Sequence, residues 1–255
     1  MRGQALIVVP CFNEATRLDS EAFVAALRNY PTLQFLFVDD GSRDGTDRVL
    51  EQLVARHPQR LHWLKLVENR GKAEAVRQGL LQAFALEPAL VGFLDADLAT
   101  PIEELASMAT AFDDPEVLVV LASRVAMLGR DIRRSPWRHY TGRVFATLAS
   151  LVLGLQVYDT QCGAKLFRNK EPIRQLFERG FLSSWAFDVE ILARLVQLER
   201  ARKIPPVTRV VAEVPLRRWT DVRGSKIGLV GSLIAATQLL LVGWRYRERA
   251  DREVG

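Results

Sequence analysis

The chain has 255 residues, 49% hydrophobic and 25% charged, and its 35 basic against 30 acidic side chains give a net charge of +5. That length accommodates one large α/β domain with an ample core, and a composition this ordinary excludes a disordered, fibrous or disulfide-stapled chain. The positive balance favours anionic partners: nucleotides, phosphorylated lipids, membrane surfaces or nucleic acid. The two cysteines, Cys11 and Cys162, have no metal-ligand spacing and suit a reduced, cytosolic setting. The apolar run near the N-terminus is too brief for the core of a signal peptide.

In chain order, "ALIVVP" (5–10), "LQFLFVDD" (33–40), "LHWLKLV" (61–67), "LVGFLDAD" (90–97) and "VLVVLAS" (117–123) are apolar runs of strand length. Amphipathic helical patterns over 21–27, 46–54 and 73–84 separate the first four. The alternation predicts βαβ units and a mostly parallel sheet with helices on both faces, whose ligands bind beyond the carboxyl ends of the strands. Polar residues collect at those ends: Asn13 and Glu14, then Asp39 and Asp40, then 69–72, then Asp95 and Asp97. Four polar strand ends in succession predict one site.

Thr100, Pro101 and Glu103 form a capping-box pattern, so a helix is expected just after the second aspartate. Asp44 is placed to cap another, opening at Gly45. Helix N-termini favour anions, and Lys72 adds a cation. Asp95 and Asp97 would repel each other unless a cation or donors lay between them. Together these residues suit a diphosphate bridged by a divalent metal that takes one or two carboxylates.

"VVPCFNEA", "FVDDGSRDGT", "NRGKAEAVRQGL" and "DADLATP" resemble, in the same order, the motifs of family 2 glycosyltransferases of GT-A fold. "ASR" (122–124), "RSPWRHYTGRVF" (134–145), "DTQCGAKLF" (159–167), "WAFDVE" (185–190) and "EVPLRRWTDVRGSK" (213–226) narrow this to the dolichyl- or polyprenyl-phosphate β-glucosyltransferase branch, related to the dolichyl-phosphate mannosyltransferases. The resemblance implies a catalytic domain over 1–226, with a nucleotide-binding half (1–123) and an acceptor half (124–226), followed by an apolar helix and basic tail (227–255). It implies an inverting transfer of a hexose, with UDP-glucose as donor and a polyprenyl phosphate as acceptor. Mg2+ or Mn2+ would be the cofactor, the membrane surface a further partner and nucleic acid none.

Carried over by motif, Pro10, Asn13, Glu14 and Asp40 would hold the nucleoside, with Asp39 holding the loop. Lys72 and Asp95 would lie along the ribose and diphosphate, and Asp97, with Asp95, would hold the metal. Relatives on the mannosyl branch often place a glutamine after the aspartate pair where this chain has Ala99, which removes one metal ligand. A phosphate monoester is anionic near neutral pH and attacks without a strong base. It needs cations, for which Arg124, Arg134, Arg138, Arg143 and Lys165 are candidates. Arg124, Asp159, Lys165 and Asp97 are the expected catalytic set. A hydroxyl acceptor would instead need a base such as Asp159, Asp188 or Glu190.

Blander readings exist. Asp159 could cap its loop, Asp188 and Glu190 could stabilise a helix start, some arginines could form a solvated face, and the cysteines could be packing residues. Alternatives of function are a soluble family 2 enzyme with a hydroxyl acceptor, a GDP-mannose-dependent relative, and a noncatalytic sugar-nucleotide-binding module. A nucleotidyltransferase is disfavoured because "VVPCFNEA" contains no glycine. The apolar stretches 144–155 and 227–244 are short for a spanning helix, and their tryptophan, tyrosine and arginine flanks predict in-plane interfacial helices. The expected location is therefore the cytoplasmic face of a membrane, as a peripheral protein, or the cytoplasm.

Overall fold

In the computed structural model the described residues are 3–222 and 237–246, with the side chains of Pro136 and Arg138 not described. β1 (Ala5–Cys11), α1 (Ser20–Asn29), β2 (Leu33–Asp39), α2 (Thr46–Arg56), β3 (Leu61–Lys65), α3 (Lys72–Ala85) and β4 (Leu90–Leu94) follow in the expected alternation. After them come α4 (Glu104–Ala109), β5 (Val119–Ser123), β6 (Asp131–Arg133), α5 (Pro136–Leu153) and β7 (Ala164–Arg168). α6 (Glu171–Glu178), α7 (Phe187–Arg200), α8 (Val207–Val210), β8 (Val211–Pro215) and β9 (Arg218–Thr220) complete the named elements, and residues 237–246 are helical. The strands stop short of the runs expected for them at 33–40, 61–67 and 90–97, ending at Asp39, Lys65 and Leu94; at the first and last of these the polar ends leave the sheet as turns.

The main sheet has the order β3-β2-β1-β4-β7-β5-β8. β1, β2, β3 and β4 are parallel, whereas β7 runs antiparallel between β4 and β5. Strand order turns back at β1, the kind of switch point beside which α/β sheets open a crevice. Pro10, which lacks an N–H, is tolerated in this central strand because β4 pairs with β1 only as far as Val8–Phe93. One apolar layer joins the sheet to α1, α2 and α4; the other joins it to α3, α6, α7 and α8. A third, smaller cluster joins α5 and α7 to the C-terminal helical segment through Ala149, Val189, Ala193, Leu239, Val242 and Tyr246.

Two expected helix starts differ. α4 begins at Glu104, and Glu103 makes no side-chain capping bond. Thr100 is instead buried, its hydroxyl 3.8 Å from the Cys162 thiol, so it has no freedom to cap. α2 begins at Thr46, where Asp44 Oδ1 accepts from the Thr46 N–H at 3.0 Å and from its hydroxyl at 2.6 Å. The other oxygen of Asp44 accepts from the Ala15 N–H, tying α2 to the turn after β1.

Candidate active site

The carboxyl ends of β1, β2, β4 and β5 open on one edge of the sheet, and the antiparallel β7 brings the segment before it to the same edge. The turn after β1 is stitched to the loop after β2. Asn13, in a left-handed conformation with φ 56°, accepts from the Arg43 N–H at 3.0 Å, and its own N–H donates to Ser42 Oγ. The Glu14 N–H donates to Thr46 Oγ1. Asn13 therefore braces the loop with the carboxamide expected to face a nucleoside. Burial pushes the Glu14 carboxyl up; Arg17 opposes this, and the charge of Asp97 adds to it.

Asp39, the last residue of β2, and Asp40, just after it, have different surroundings. Both oxygens of Asp40 are engaged at 2.8 Å by the N–H groups of Arg70 and Gly71, so Asp40 holds the loop leading into α3. Burial raises its pKa and those two hydrogen bonds oppose the rise. Asp39 is fully buried; its Oδ1 accepts from Ser42 and its Oδ2 has no partner. Beside these strand ends lies a cavity of about 460 Å³, lined by Phe12, the Gly41–Arg43 turn and the 65–69 segment.

Lys72 Nζ lies 2.6 Å from Asp95 Oδ1. Burial works against the Lys72 charge, but Asp95, Asp188 and Asp97 together hold its pKa above the ordinary value. The Asp95 N–H donates to the carbonyl of Gly163, and the Asp95 carboxylate packs directly on that glycine, where a Cβ would collide with it. Asp97 Oδ1 accepts from the Ala99 N–H. Burial, and then the charge of Asp95, raise the Asp97 pKa. A cation at Asp97 would relieve both effects. Among the described residues no three His, Cys, Asp or Glu side chains are grouped to hold a metal. Asp95 and Asp97 offer hard carboxylate oxygens, the donor type that a divalent ion completes with phosphate and water.

Arg124, just after β5, forms a bidentate pair with Asp159 at 2.6 and 2.8 Å and lies over the Trp219 ring. Burial alone would raise the Asp159 pKa; the Arg124 charge and hydrogen bonds bring it down to about 2. Both Asp159 oxygens are held by Arg124, an arrangement that opposes the base role considered for it with a hydroxyl acceptor. Its backbone N–H and that of Tyr158 donate to the Glu213 carboxylate, a β8 residue that sequence reasoning quoted in a motif but gave no role. Arg143 stacks on the Tyr158 ring, 3.8 Å from its centroid. Arg134 packs against Gly142, and its buried Nε has no hydrogen-bond partner. Burial, and then the nearby Arg124 charge, lower its pKa to about 10.

Lys165 departs from expectation. Its side chain is 1% exposed, pairs with Asp188 Oδ1 at 2.6 Å and donates to the Cys162 carbonyl at 2.9 Å. It cannot reach an acceptor from solvent. Asp188 and Glu190 are likewise withdrawn from base chemistry: Glu190 is buried and engaged by Arg194, the Tyr246 hydroxyl and the Leu182 N–H. The side chain of Arg138 lies outside the described residues.

Among the described residues, the buried polar atoms without a hydrogen bond are few and mostly collected here. Asp95 Oδ1 is one, though Lys72 stands beside it as an ion pair. Glu14 Oε2, Asp39 Oδ2, Ser123 Oγ, Arg134 Nε and Thr160 Oγ1 all lie along this edge, and only Trp63 Nε1 does not belong to its turns. Native interiors rarely leave such groups unsatisfied, and water or ligand atoms at this edge would satisfy them.

A mixed, largely parallel sheet with an Asp-x-Asp pair and a lysine at its carboxyl edge is a GT-A fold. The chain belongs to glycosyl transferase family 2, whose family model matches residues 6–175. It is a nucleotide-sugar-dependent glycosyltransferase. A curated relative, the dolichyl-phosphate beta-glucosyltransferase of Drosophila melanogaster, is 32% identical over 93% of this chain and 73% of the relative. Solved structures share the fold at lower identity. Glucosyl-3-phosphoglycerate synthase from Mycobacterium tuberculosis, in complex with Mn2+, UDP-glucose and phosphoglyceric acid, matches with TM-score 0.64 and 17% identity over 95% of this chain and 80% of that one. A mannosyltransferase from Pyrobaculum calidifontis, in complex with GDP-mannose and Mn2+, matches with TM-score 0.62 and 20% identity over 98% of this chain and 65% of that one.

Proposed function

We propose that this chain transfers glucose, with inversion, from UDP-glucose to a dolichyl or other polyprenyl phosphate at a membrane surface. The observation that carries the reading is that Lys72, Asp95 and Asp97 meet at the carboxyl edge of the sheet, where Lys72 pairs with Asp95 at 2.6 Å and burial, then the Asp95 charge, raise the Asp97 pKa. The uracil is assigned to the cavity beside Phe12 and Asp39, and the donor diphosphate to Lys72, Asp95 and Asp97. Mg2+ or Mn2+ at Asp97 and Asp95 would screen negative charge developing on the departing UDP. The acceptor phosphate is assigned to the half-buried guanidinium of Arg134, with Arg143 on α5. One acceptor oxygen forms the new bond to the anomeric carbon from the face opposite the bond to UDP, and that carbon–oxygen bond breaks with its electron pair going to the departing UDP. No base is required, in keeping with the absence of an accessible one among Asp159, Asp188 and Glu190.

Incubation with radiolabelled sugar nucleotides and dolichyl phosphate tests this directly. Label is expected in the extracted lipid from UDP-glucose and not from GDP-mannose, and calorimetry in Mn2+ is expected to show tighter binding of UDP than of GDP. Transfer from GDP-mannose alone would make the enzyme a mannosyltransferase.

The membrane assignment rests on an exposed apolar face. Trp137, Tyr140, Val144 and Leu151 of α5 are 61–69% exposed, and Leu240 and Trp244 of the C-terminal segment are 66% and 59% exposed. Among the described residues no helix is long and apolar enough to cross a membrane. The two helices are read as lying in the plane of the interface, on the cytoplasmic face. Of the expected apolar stretch 227–244, residues 227–236 lie outside the described residues, as do Arg247 and Arg249. Placing a charge at Leu240 is expected to weaken liposome binding about tenfold, since one exposed leucine contributes about 1.5–3 kcal/mol when it enters an apolar phase. Melting temperature and UDP affinity should hold. A cosedimentation assay with anionic vesicles checks this, and unchanged binding would remove this helix from the interface.

A further inference from the structure

Lys165 and Asp188 are both buried, with side chains 1% and 9% exposed. A buried ion pair is weak evidence for stability, because apolar residues of similar volume are often equal or better at the same place. This one stands among Phe93, Phe187 and the apolar layer around α7, where such a replacement would be natural. Its contacts lead instead toward the site. Lys165 Nζ holds the Cys162 carbonyl at 2.9 Å. The next residue, Gly163, accepts from the Asp95 N–H at 3.0 Å and forms the floor on which the Asp95 carboxylate rests. β7 also pairs with β4 at Phe93–Lys165 and Leu94–Ala164, immediately before Asp95. Two ion pairs, Lys165–Asp188 and Lys72–Asp95, thus flank the Cys162–Gly163 segment, and the charges of Lys72 and Asp95 also act on Asp188.

Resting on the functional reading above, we infer that Lys165 and Asp188 are positioning residues, which hold Gly163, Asp95 and Lys72 in the arrangement that receives the donor diphosphate. Neither touches a reactant. They act through the Cys162–Gly163 segment and through the lysine above them.

The deciding variant is the double replacement Lys165→Met with Asp188→Leu, which removes both charges and leaves no buried ion unpaired. If the pair served only the fold, this apolar variant would match the wild type in melting temperature and in rate. Positioning predicts a folded variant whose Mn2+-dependent UDP affinity falls about tenfold, as when partners behind a ligand are lost. The kcat is expected to fall about 100-fold, the penalty of displacing a reacting group by about 1 Å, with the KM for lipid phosphate unchanged. A folded double variant with kcat and UDP affinity within about threefold of wild type overturns the inference. Should the double variant fail to fold, Asp188→Asn, which keeps the hydrogen bond to Lys165, is read by the same UDP titration and the same threshold. If wild type binds UDP but moves no glucose to lipid phosphate, the functional reading alone falls, and the titration still decides the positioning.

Discussion

Asp97→Asn is expected to lower glucosyl transfer by about 100-fold or more while the protein melts no lower than wild type, because the metal's stabilisation of the leaving group is a term of several kcal/mol. The asparagine retains the oxygen that accepts from Ala99 and removes a charge that burial and Asp95 both disfavour. The sign follows from linkage. A carboxyl whose folded pKa is raised weakens the fold fully above that folded pKa, and the penalty shrinks as pH falls through the folded pKa and is gone below the unfolded one. The variant should therefore gain stability over wild type at neutral pH in metal-free buffer, and the gain should shrink on acidification. Thermal melts across that range, paired with transfer assays, test both halves. Turnover within about threefold of wild type would withdraw the metal from Asp97.

Arg134→Ala and Arg124→Ala are expected to part company, although the sequence groups them as one cradle. Arg134 has a buried Nε with no partner and a pKa lowered to about 10, so its charge is held at a cost when no anion is present. Its removal should cut transfer to lipid phosphate by about tenfold or more with little change in melting temperature, the loss of a charge-assisted bond worth about 1.5–3 kcal/mol. Removing Arg124 strands the Asp159 carboxylate in the interior, and breaking such a pair typically destabilises by about 3–5 kcal/mol. Loss of transfer there should accompany loss of the fold. Asp159 has a folded pKa of about 2, below its unfolded value. The stability it contributes is present above the unfolded pKa and is lost as pH falls toward 2. Equal melting temperatures for the two alanine variants would defeat this distinction.

The alternation of apolar runs and amphipathic helices is a local signal, and it carried β1 to β4 with their intervening helices and the edge on which their polar ends meet. Which strand neighbours which is not local. "AKLFR" at 164–168 stood out only as part of a motif, and nothing in its own residues says that it runs backwards between β4 and β5. The roles of single charges were legible in kind and not in place. Lys165 sits in a strand flanked by Ala164, Leu166 and Phe167, an apolar setting that could have marked it as interior, with an acid to be sought elsewhere in the chain. Asp39 and Asp40 are adjacent and chemically identical; only the path of the loop before α3, which brings the Arg70 and Gly71 N–H groups to Asp40, tells them apart.

The antiparallel β7 also bears on how the chain comes together during synthesis. A ribosome that has delivered residues 1–123 has made β1 to β5, yet β5 has no strand to join, because β7 must enter between it and β4. Until residue 168 emerges, the β4 edge is bare, an invitation to pair with another chain. Closure of the sheet thus waits on contacts of long sequence separation, the kind that slow folding and lengthen exposure to aggregation. A fragment ending at Ser123 would carry the Asp-x-Asp pair and still lack the strand that lies between β4 and β5 beside it.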